Sequence, residues 1–267
     1  VYTQAQAALA GAERVFALLD EEREAPDPGG DAEALAPIQG AVRFVDVHFG
    51  YEAERPVLCG LDLDIPAGRT VALVGETGAG KTTVANLLLR FYRPQGGRIE
   101  VDGRDLAELP IRGLRRQIGV VPQEPYLFSG TVRSNIRYGR PEASDAAVEE
   151  AARAVGADAV IRGLAKGYDT ELGERGGGLS IGQRQLIALA RAALIDPRLL
   201  ILDEATANID TRTERILQAG LEHLMAGRSS LVIAHRLSTI RKAHKVVVLE
   251  AGRVLEEGTH EALLAKG

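Results

Sequence analysis

Gly75-Glu76-Thr77-Gly78-Ala79-Gly80-Lys81-Thr82 decides the reading of this chain. It fits the pattern Gly-x-x-x-x-Gly-Lys-Thr of a phosphate-binding loop. An apolar run, Val71-Ala72-Leu73-Val74, precedes it, and a helix-like run from Thr83 to Leu89 follows. That strand–loop–helix context is what the motif requires. Glycines let successive backbone N–H groups turn toward phosphate oxygens, and the helix adds its positive end to the same spot. In that reading Lys81 reaches the β- and γ-phosphates and the Thr82 hydroxyl ligates Mg²⁺. The bland alternative is an ordinary glycine-rich turn, and the flanking elements argue against it.

Working outward, further apolar runs read as strands. These are Val42 to Phe49, Leu61 to Ile65, Arg98 to Val101, Ile118 to Val121, Leu199 to Leu202, Ser230 to Ala234 and Lys245 to Leu249. Helical runs lie between several of them, including Asp145 to Val155 and Arg184 to Ile195. Gly252-Arg253 predicts a final hairpin, and Thr259 caps a terminal helix. Apolar strands alternating with helices predict an α/β fold with a mostly parallel sheet covered on both faces. Such sheets bind ligands beyond the C-terminal ends of their strands. At the end of Leu199-Leu200-Ile201-Leu202 stand Asp203 and Glu204. Asp203 suits a hard cation, and Glu204 suits polarisation of an attacking water. Acids in the first turn of a helix are the competing explanation. Leu179-Ser180-Ile181-Gly182-Gln183 precedes a helix and offers a second anion site or simply a helix cap.

Composition narrows the classes. The 267 residues are 45% hydrophobic and 26% charged, ordinary for a globular protein long enough to bury a substantial core. A net charge of −5 does not favour nucleic-acid binding. Arg115-Arg116 is expected on a solvated face. One cysteine, Cys59, excludes an intrachain disulfide and is expected to be a small buried hydrophobe. His223 and His244 are expected at the surface, His260 in a structural place, and His48 without a role. No apolar stretch reaches membrane-span length and no signal peptide is visible, so the expectation is a soluble chain facing a reducing compartment. Tyr2 to Glu24 predicts a helix, followed by a linker at Ala25-Pro26-Asp27-Pro28-Gly29-Gly30 and a globular domain from about Ile38. The helix is either the tail of a preceding segment or an element that packs on its own domain.

Taken in order, these stations resemble the nucleotide-binding domain of an ABC transporter. Gly75 to Thr82 is similar to its phosphate loop, Gln123 to its Q-loop glutamine and Leu179 to Gln183 to its signature. Asp203-Glu204 resembles the Walker B aspartate and catalytic glutamate, Ala207-Asn208-Ile209-Asp210 the D-loop and His235 the switch histidine. Phe49-Gly50-Tyr51 resembles the exporter A-loop, Leu127 to Gly139 the exporter stretch after the Q-loop, and Gly173-Glu174-Arg175-Gly176 the X-loop. The resemblance covers about residues 38–267. It implies a RecA-like phosphate-loop core, an N-terminal antiparallel β subdomain and an inserted helical subdomain at about 126–185. Residues 1–37 then correspond to the end of a transmembrane-domain helix and its linker.

The same resemblance implies ATP and Mg²⁺. It implies catalytic roles for Glu204, His235, Lys81 and Gln123. Nucleotide contacts fall to Tyr51, Gly75, Glu76, Thr77, Gly78, Ala79, Gly80, Lys81, Thr82, Thr83, Gln123, Ser180, Gly182, Gln183 and Asp210, and the metal to Thr82, Gln123 and Asp203. The implied partners are a second nucleotide-binding domain, identical or not, and a transmembrane domain, at the cytoplasmic face of a membrane. Two departures stand out. Ile181 replaces the first glycine of the signature pair, and Ala207-Asn208-Ile209-Asp210 differs from the commoner D-loop. In heterodimeric exporters of this family such paired changes accompany one weak ATP site, which implies an intact site in this chain and an altered signature that faces a partner's weaker site. The alternative class is a soluble ABC ATPase of DNA maintenance or translation, but no coiled coil, zinc hook or second domain is visible.

Overall fold

The sequence's apolar runs become strands because most of them are buried on both faces. A computed structural model describes residues 2–20, 35–52, 54–204, 209–234 and 236–266. In chain order the elements are α1 (Tyr2–Leu19), β1 (Val42–Phe49), β2 (Leu58–Ile65), β3 (Thr70–Val74), α2 (Lys81–Leu88), β4 (Gly96–Val101) and β5 (Arg104–Asp105). Then follow α3 (Ile111–Arg115), β6 (Ile118–Val121), β7 (Gly130–Thr131), α4 (Val132–Arg137), α5 (Asp145–Ala154), α6 (Asp158–Arg162), β8 (Glu171–Leu172) and α7 (Ile181–Ile195). The chain closes with β9 (Leu199–Asp203), α8 (Thr211–Met225), β10 (Ser229–Ile233), α9 (Leu237–Lys242), β11 (Lys245–Glu250), β12 (Arg253–Gly258) and α10 (His260–Leu264).

Six strands form the central sheet in the order β12-β11-β3-β10-β9-β6. Every pairing from β11 to β6 is parallel, and only the edge strand β12 runs antiparallel. Side chains alternate between two cores, as the pleat requires. Ala72, Leu200, Leu202 and Val232 enter one core with α4, α5, α7 and α8. Val71, Leu73, Leu199, Ile201, Leu231 and Ile233 enter the other, with α2 and a four-stranded antiparallel sheet ordered β2-β1-β4-β5. This is the α/β architecture expected, with its antiparallel N-terminal sheet. Between β6 and β9 the chain makes the excursion β7–α4–α5–α6–β8–α7, and α7 packs back on β6 and α8.

Three expectations change. Within the described residues the first helix stops at Leu19, with Asp20 N–H bonded to Phe16 O at 2.8 Å. Its side chains from Leu9 to Leu19 are exposed, so that stretch does not pack on the domain. The expected linker at residues 25–30 lies outside the described residues. Cys59 is only half-buried, since β2 is an outer strand of its sheet. Arg115 is not merely solvated: it donates to Leu89 O at 2.9 Å and Arg90 O at 3.2 Å, and its guanidinium lies 5.2 Å from the Phe91 ring centre. A cation there meets the orphan carbonyls at the C-terminal end of α2. His244 lies at the surface as expected, where its Nδ1 accepts the Thr70 N–H at 3.0 Å and fastens the start of β3.

Candidate functional site, a phosphate-binding loop and its acidic strand end

The loop between β3 and α2 is shaped by its glycines and closed by its lysine. Gly80 is the N-cap of α2 with φ 102°, a left-handed conformation. A Cβ there would lie 2.7 Å from Leu58 Cδ2, so backbone and packing both exclude a side chain. Lys81 is buried, and its ammonium donates to Gly75 O at 2.7 Å and Glu76 O at 2.8 Å. The first turn of α2 carries N–H groups with no partner within the helix. Thr82 faces outward beside them, whereas Thr83 is buried. Tyr51 OH lies 3.2 Å from Thr83 Oγ1 and accepts from Asn86 Nδ2 at 3.2 Å. Its ring stands edge-on to Phe49 and Tyr92, each at 5.0 Å. A half-exposed aromatic face is thereby hung on the helix that carries the phosphate loop.

Parallel pairing brings the remaining strand ends alongside. β3, β10, β9 and β6 are consecutive neighbours, so residues after each emerge at one edge of the sheet. Asp203 ends β9 and is half-buried. Glu204 follows, buried, with its N–H bonded to Ile233 O at 3.0 Å. Its Oε1 accepts from the Thr239 hydroxyl at 2.8 Å. Ala234 N–H, just past β10, bonds Leu73 O at 3.0 Å, which seats that segment against the strand feeding the loop. Gln123, past β6, has an exposed side chain, and its carbonyl accepts from Gln185 Nε2 at 3.4 Å. His235 and the D-loop residues Ala207 and Asn208 lie outside the described residues.

The signature segment sits at the start of α7. Ser180 Oγ accepts the Gln183 N–H at 3.2 Å, and Gln183 Oε1 accepts the Ser180 N–H at 2.8 Å. This reciprocal box fixes the helix start. Ile181 is exposed at the first helical position. Gly182 has a second reason to be glycine: a Cβ would approach Thr213 Cγ2 of α8 to 2.5 Å. We predict that Gly182→Ala lowers stability by about 1–3 kcal/mol through overpacking. Thr213→Ser, which removes that methyl, should restore most of the loss in thermal melting of the double variant. Asp210 caps α8, accepting from Thr213 N–H at 3.0 Å and Arg212 N–H at 3.1 Å. The Thr213 backbone bond, foremost, holds its carboxyl below the ordinary range. That cap therefore stabilises the fold above the usual carboxylate range and is lost as pH falls through the lowered value.

Among the described residues no group of three or more His, Cys, Asp or Glu could hold a metal. A cation here would need mixed oxygen ligands. An outward Thr82 hydroxyl, an Asp203 carboxylate at the end of β9, two strands across from β3, and phosphate oxygens fit a hard divalent ion. Thr239, Asn86, Tyr92 and Gln185 escaped the sequence reading. Each meets its site residue from a distant segment, Thr239 from 35 residues past Glu204, and no local pattern marks such a contact.

The chain is similar to known proteins along most of its length. The profile of the family described as ABC transporter matches residues 58–207. The chain is 51% identical over 270 residues to the uncharacterized ABC transporter ATP-binding protein YknV of Bacillus subtilis (strain 168), covering 100% of this chain and 44% of that protein. It is also 51% identical over 263 residues to an ATP-dependent lipid A-core flippase of Chromobacterium violaceum, covering 98% and 44%. A solved bacterial Atm1-family ABC exporter with ATP bound superposes with a TM-score of 0.88 at 42% identity, covering 99% of this chain and 46% of that one. The chain thus spans less than half the length of these relatives. Among the described residues no helix is long and apolar enough to cross a membrane. With more than half of its length inside the family profile and a close relative along its whole extent, this chain belongs to the ABC transporter family.

Proposed function

We propose that this chain is the ATP-binding and ATP-hydrolysing motor domain of an ABC exporter. The observation that carries the reading is the pairing of β3 with β10 and of β10 with β9, which brings Lys81 and Asp203-Glu204 to one rim. The adenine stacks on Tyr51. The triphosphate follows the loop from Gly75 through Glu76, Thr77, Gly78, Ala79 and Gly80 to Thr82 and Thr83. Lys81 exchanges its two loop carbonyls for β- and γ-phosphate oxygens. Thr82 and Asp203, with Gln123, would hold Mg²⁺, whose chemistry is to neutralise charge on those oxygens. Glu204 orients and deprotonates the attacking water, and His235 contacts the γ-phosphate.

Ser180, Gly182 and Gln183, with Asp210 nearby, complete the ATP site of a second nucleotide-binding domain. ATP held between two domains favours their closed pairing, and hydrolysis releases it, which is the differential affinity a two-state motor needs. Residues 1–37 then lead from a transmembrane domain into the motor at 38–267, with the helical insertion at about 126–185, at the cytoplasmic face of a membrane. Exposure of α1 along Leu9 to Leu19 supports this, since a helix of that composition calls for a neighbour beyond the motor domain. Ile181 and the altered D-loop fit a chain whose own ATP site is intact and whose signature serves a weaker one.

Mg-ATP turnover by the chain tests the proposal, and its absence would overturn it. Light scattering of Glu204→Gln identifies the partner. Mass doubling with Mg-ATP assigns the second domain to another copy; ATP binding at unchanged mass points to a different chain or to a pair too weak without membrane helices, and restoring those helices separates the two. Tyr51→Ala should weaken ATP binding by about 1–3 kcal/mol, the usual worth of a base on an aromatic face. Tyr51→Phe should keep most of the affinity, losing only the hydroxyl's hold on Thr83 and Asn86. Nucleotide titration by calorimetry reads both.

A further inference from the structure

We propose that Thr239 is a positioning residue for ATP hydrolysis: its buried hydroxyl fixes the carboxylate of Glu204 toward the attacking water. This rests on the reading of Glu204 as the group that handles that water. Thr239 and Glu204 are both 6% exposed, and Oγ1 donates to Oε1 at 2.8 Å. A hydroxyl bonded to a carboxylate belongs to the stronger class of hydrogen bond. It acts where orientation is otherwise loose, because the last side-chain torsion of glutamate is broad and roughly two-fold. A carboxylate has about four lone-pair sites. One bond to Oε1 therefore selects the plane of the group and leaves capacity to accept from water.

The donor is held as firmly as the acceptor. Arg236, at the N-cap of α9, pairs with Glu214 of α8 at 2.9 Å. Within α9, Ile240 N–H bonds Arg236 O at 3.2 Å, and Ala243 N–H bonds Thr239 O at 3.0 Å. Glu204 in turn is tied through its own N–H to Ile233 O at 3.0 Å. A helical threonine commonly turns its hydroxyl to a nearby carbonyl of its own helix. Here it crosses to another strand's acid instead. A carboxylate that must approach a water within hydrogen-bond reach gains rate from that restriction, since misorientation is costly in the transition state.

Thr239→Val keeps the side-chain shape and removes the donor, and Thr239→Ser keeps the donor. In the full chain with Mg-ATP we expect Thr239→Val to lower kcat about tenfold or more, the scale of a lost hydrogen bond to a charged group. KM and ATP affinity should stay within about twofold, because the contact bears on water and not on nucleotide. Thr239→Ser should recover kcat to within about threefold. On a Glu204→Gln background, Thr239→Val should add less than about twofold, since the two act as one unit. If the valine variant fails to fold, Thr239→Cys, of similar size but a weak donor, is read in the same way. Wild-type kcat in Thr239→Val overturns the proposal. So does a raised kcat, which would mean the hydroxyl restrains Glu204, or an equal loss of ATP affinity. Unimpaired hydrolysis by Glu204→Gln would instead overturn the role of Glu204 itself. Slow Glu204→Gln beside normal Thr239→Val defeats only the inference about Thr239.

Discussion

Glu204→Gln slows ATP turnover by about 10²–10⁴-fold, the usual worth of a general base, while ATP still binds. The substitution keeps the length and shape of the side chain. Its amide oxygen can still accept the Thr239 hydroxyl, so the buried contact at 2.8 Å survives. What is lost is the negative charge that accepts a proton from water. Lys81 and the loop are untouched, so affinity should change by less than about threefold. Phosphate release at saturating Mg-ATP, beside nucleotide titration of the same sample, separates the two quantities. A loss of turnover below about tenfold would move the base elsewhere.

Lys81→Ala loses both binding and turnover. The Lys81 ammonium is buried and donates to two carbonyls of its own loop, Gly75 and Glu76. Those bonds keep the charge satisfied and aimed at the path of the phosphates. Exchange of neutral carbonyls for phosphate oxygens is an exchange for stronger acceptors. A charge-assisted bond is worth about 1.5–3 kcal/mol net, so ATP affinity should fall by at least about ten- to a hundredfold. Turnover should fall further, because charge on the transferred group is no longer countered. The fold should suffer little. Glu76 is exposed, and water can replace the lysine at its carbonyl. A melting temperature within a few degrees of wild type, with nucleotide binding lost, is the expected signature. Retained ATP affinity would place the triphosphate away from this loop.

The contrast between these variants follows how the site is written in the chain. The loop from Gly75 to Thr82 is contiguous, so its chemistry was visible in eight letters. β3, β9, β10 and β11 were legible for a related reason. Each is covered on both faces, and an apolar run of that length has few other uses. β5, β7 and β8, of two residues each, carry no periodicity and gave no signal. Arg115 was misplaced because its letter reports charge, while its position beside the end of α2 is a tertiary fact. His244 was placed correctly at the surface, but its bond to the start of β3 is likewise a tertiary fact.

At the site the division is sharper. Sequence spacing singles out Glu204 as a candidate but cannot single out Thr239, which reaches it only after α8 and β10 fold between them. It proposes Tyr51 through the resemblance to the A-loop, yet not Asn86 and Tyr92, which orient the ring. Gly182 illustrates a residue with two constraints, one from the signature and one from α8, of which the sequence displayed the first. His235 and the start of the D-loop lie outside the described residues, so their roles stand as proposals.

The structure of Glu204→Gln crystallised with Mg-ATP tests the central claim most directly. The account predicts the adenine against Tyr51 and the triphosphate along residues 75–83. It also predicts the Lys81 ammonium within hydrogen-bond distance of phosphate oxygens, released from the Gly75 and Glu76 carbonyls. Nucleotide bound elsewhere, or a lysine still held by its own loop beside a bound triphosphate, would contradict it.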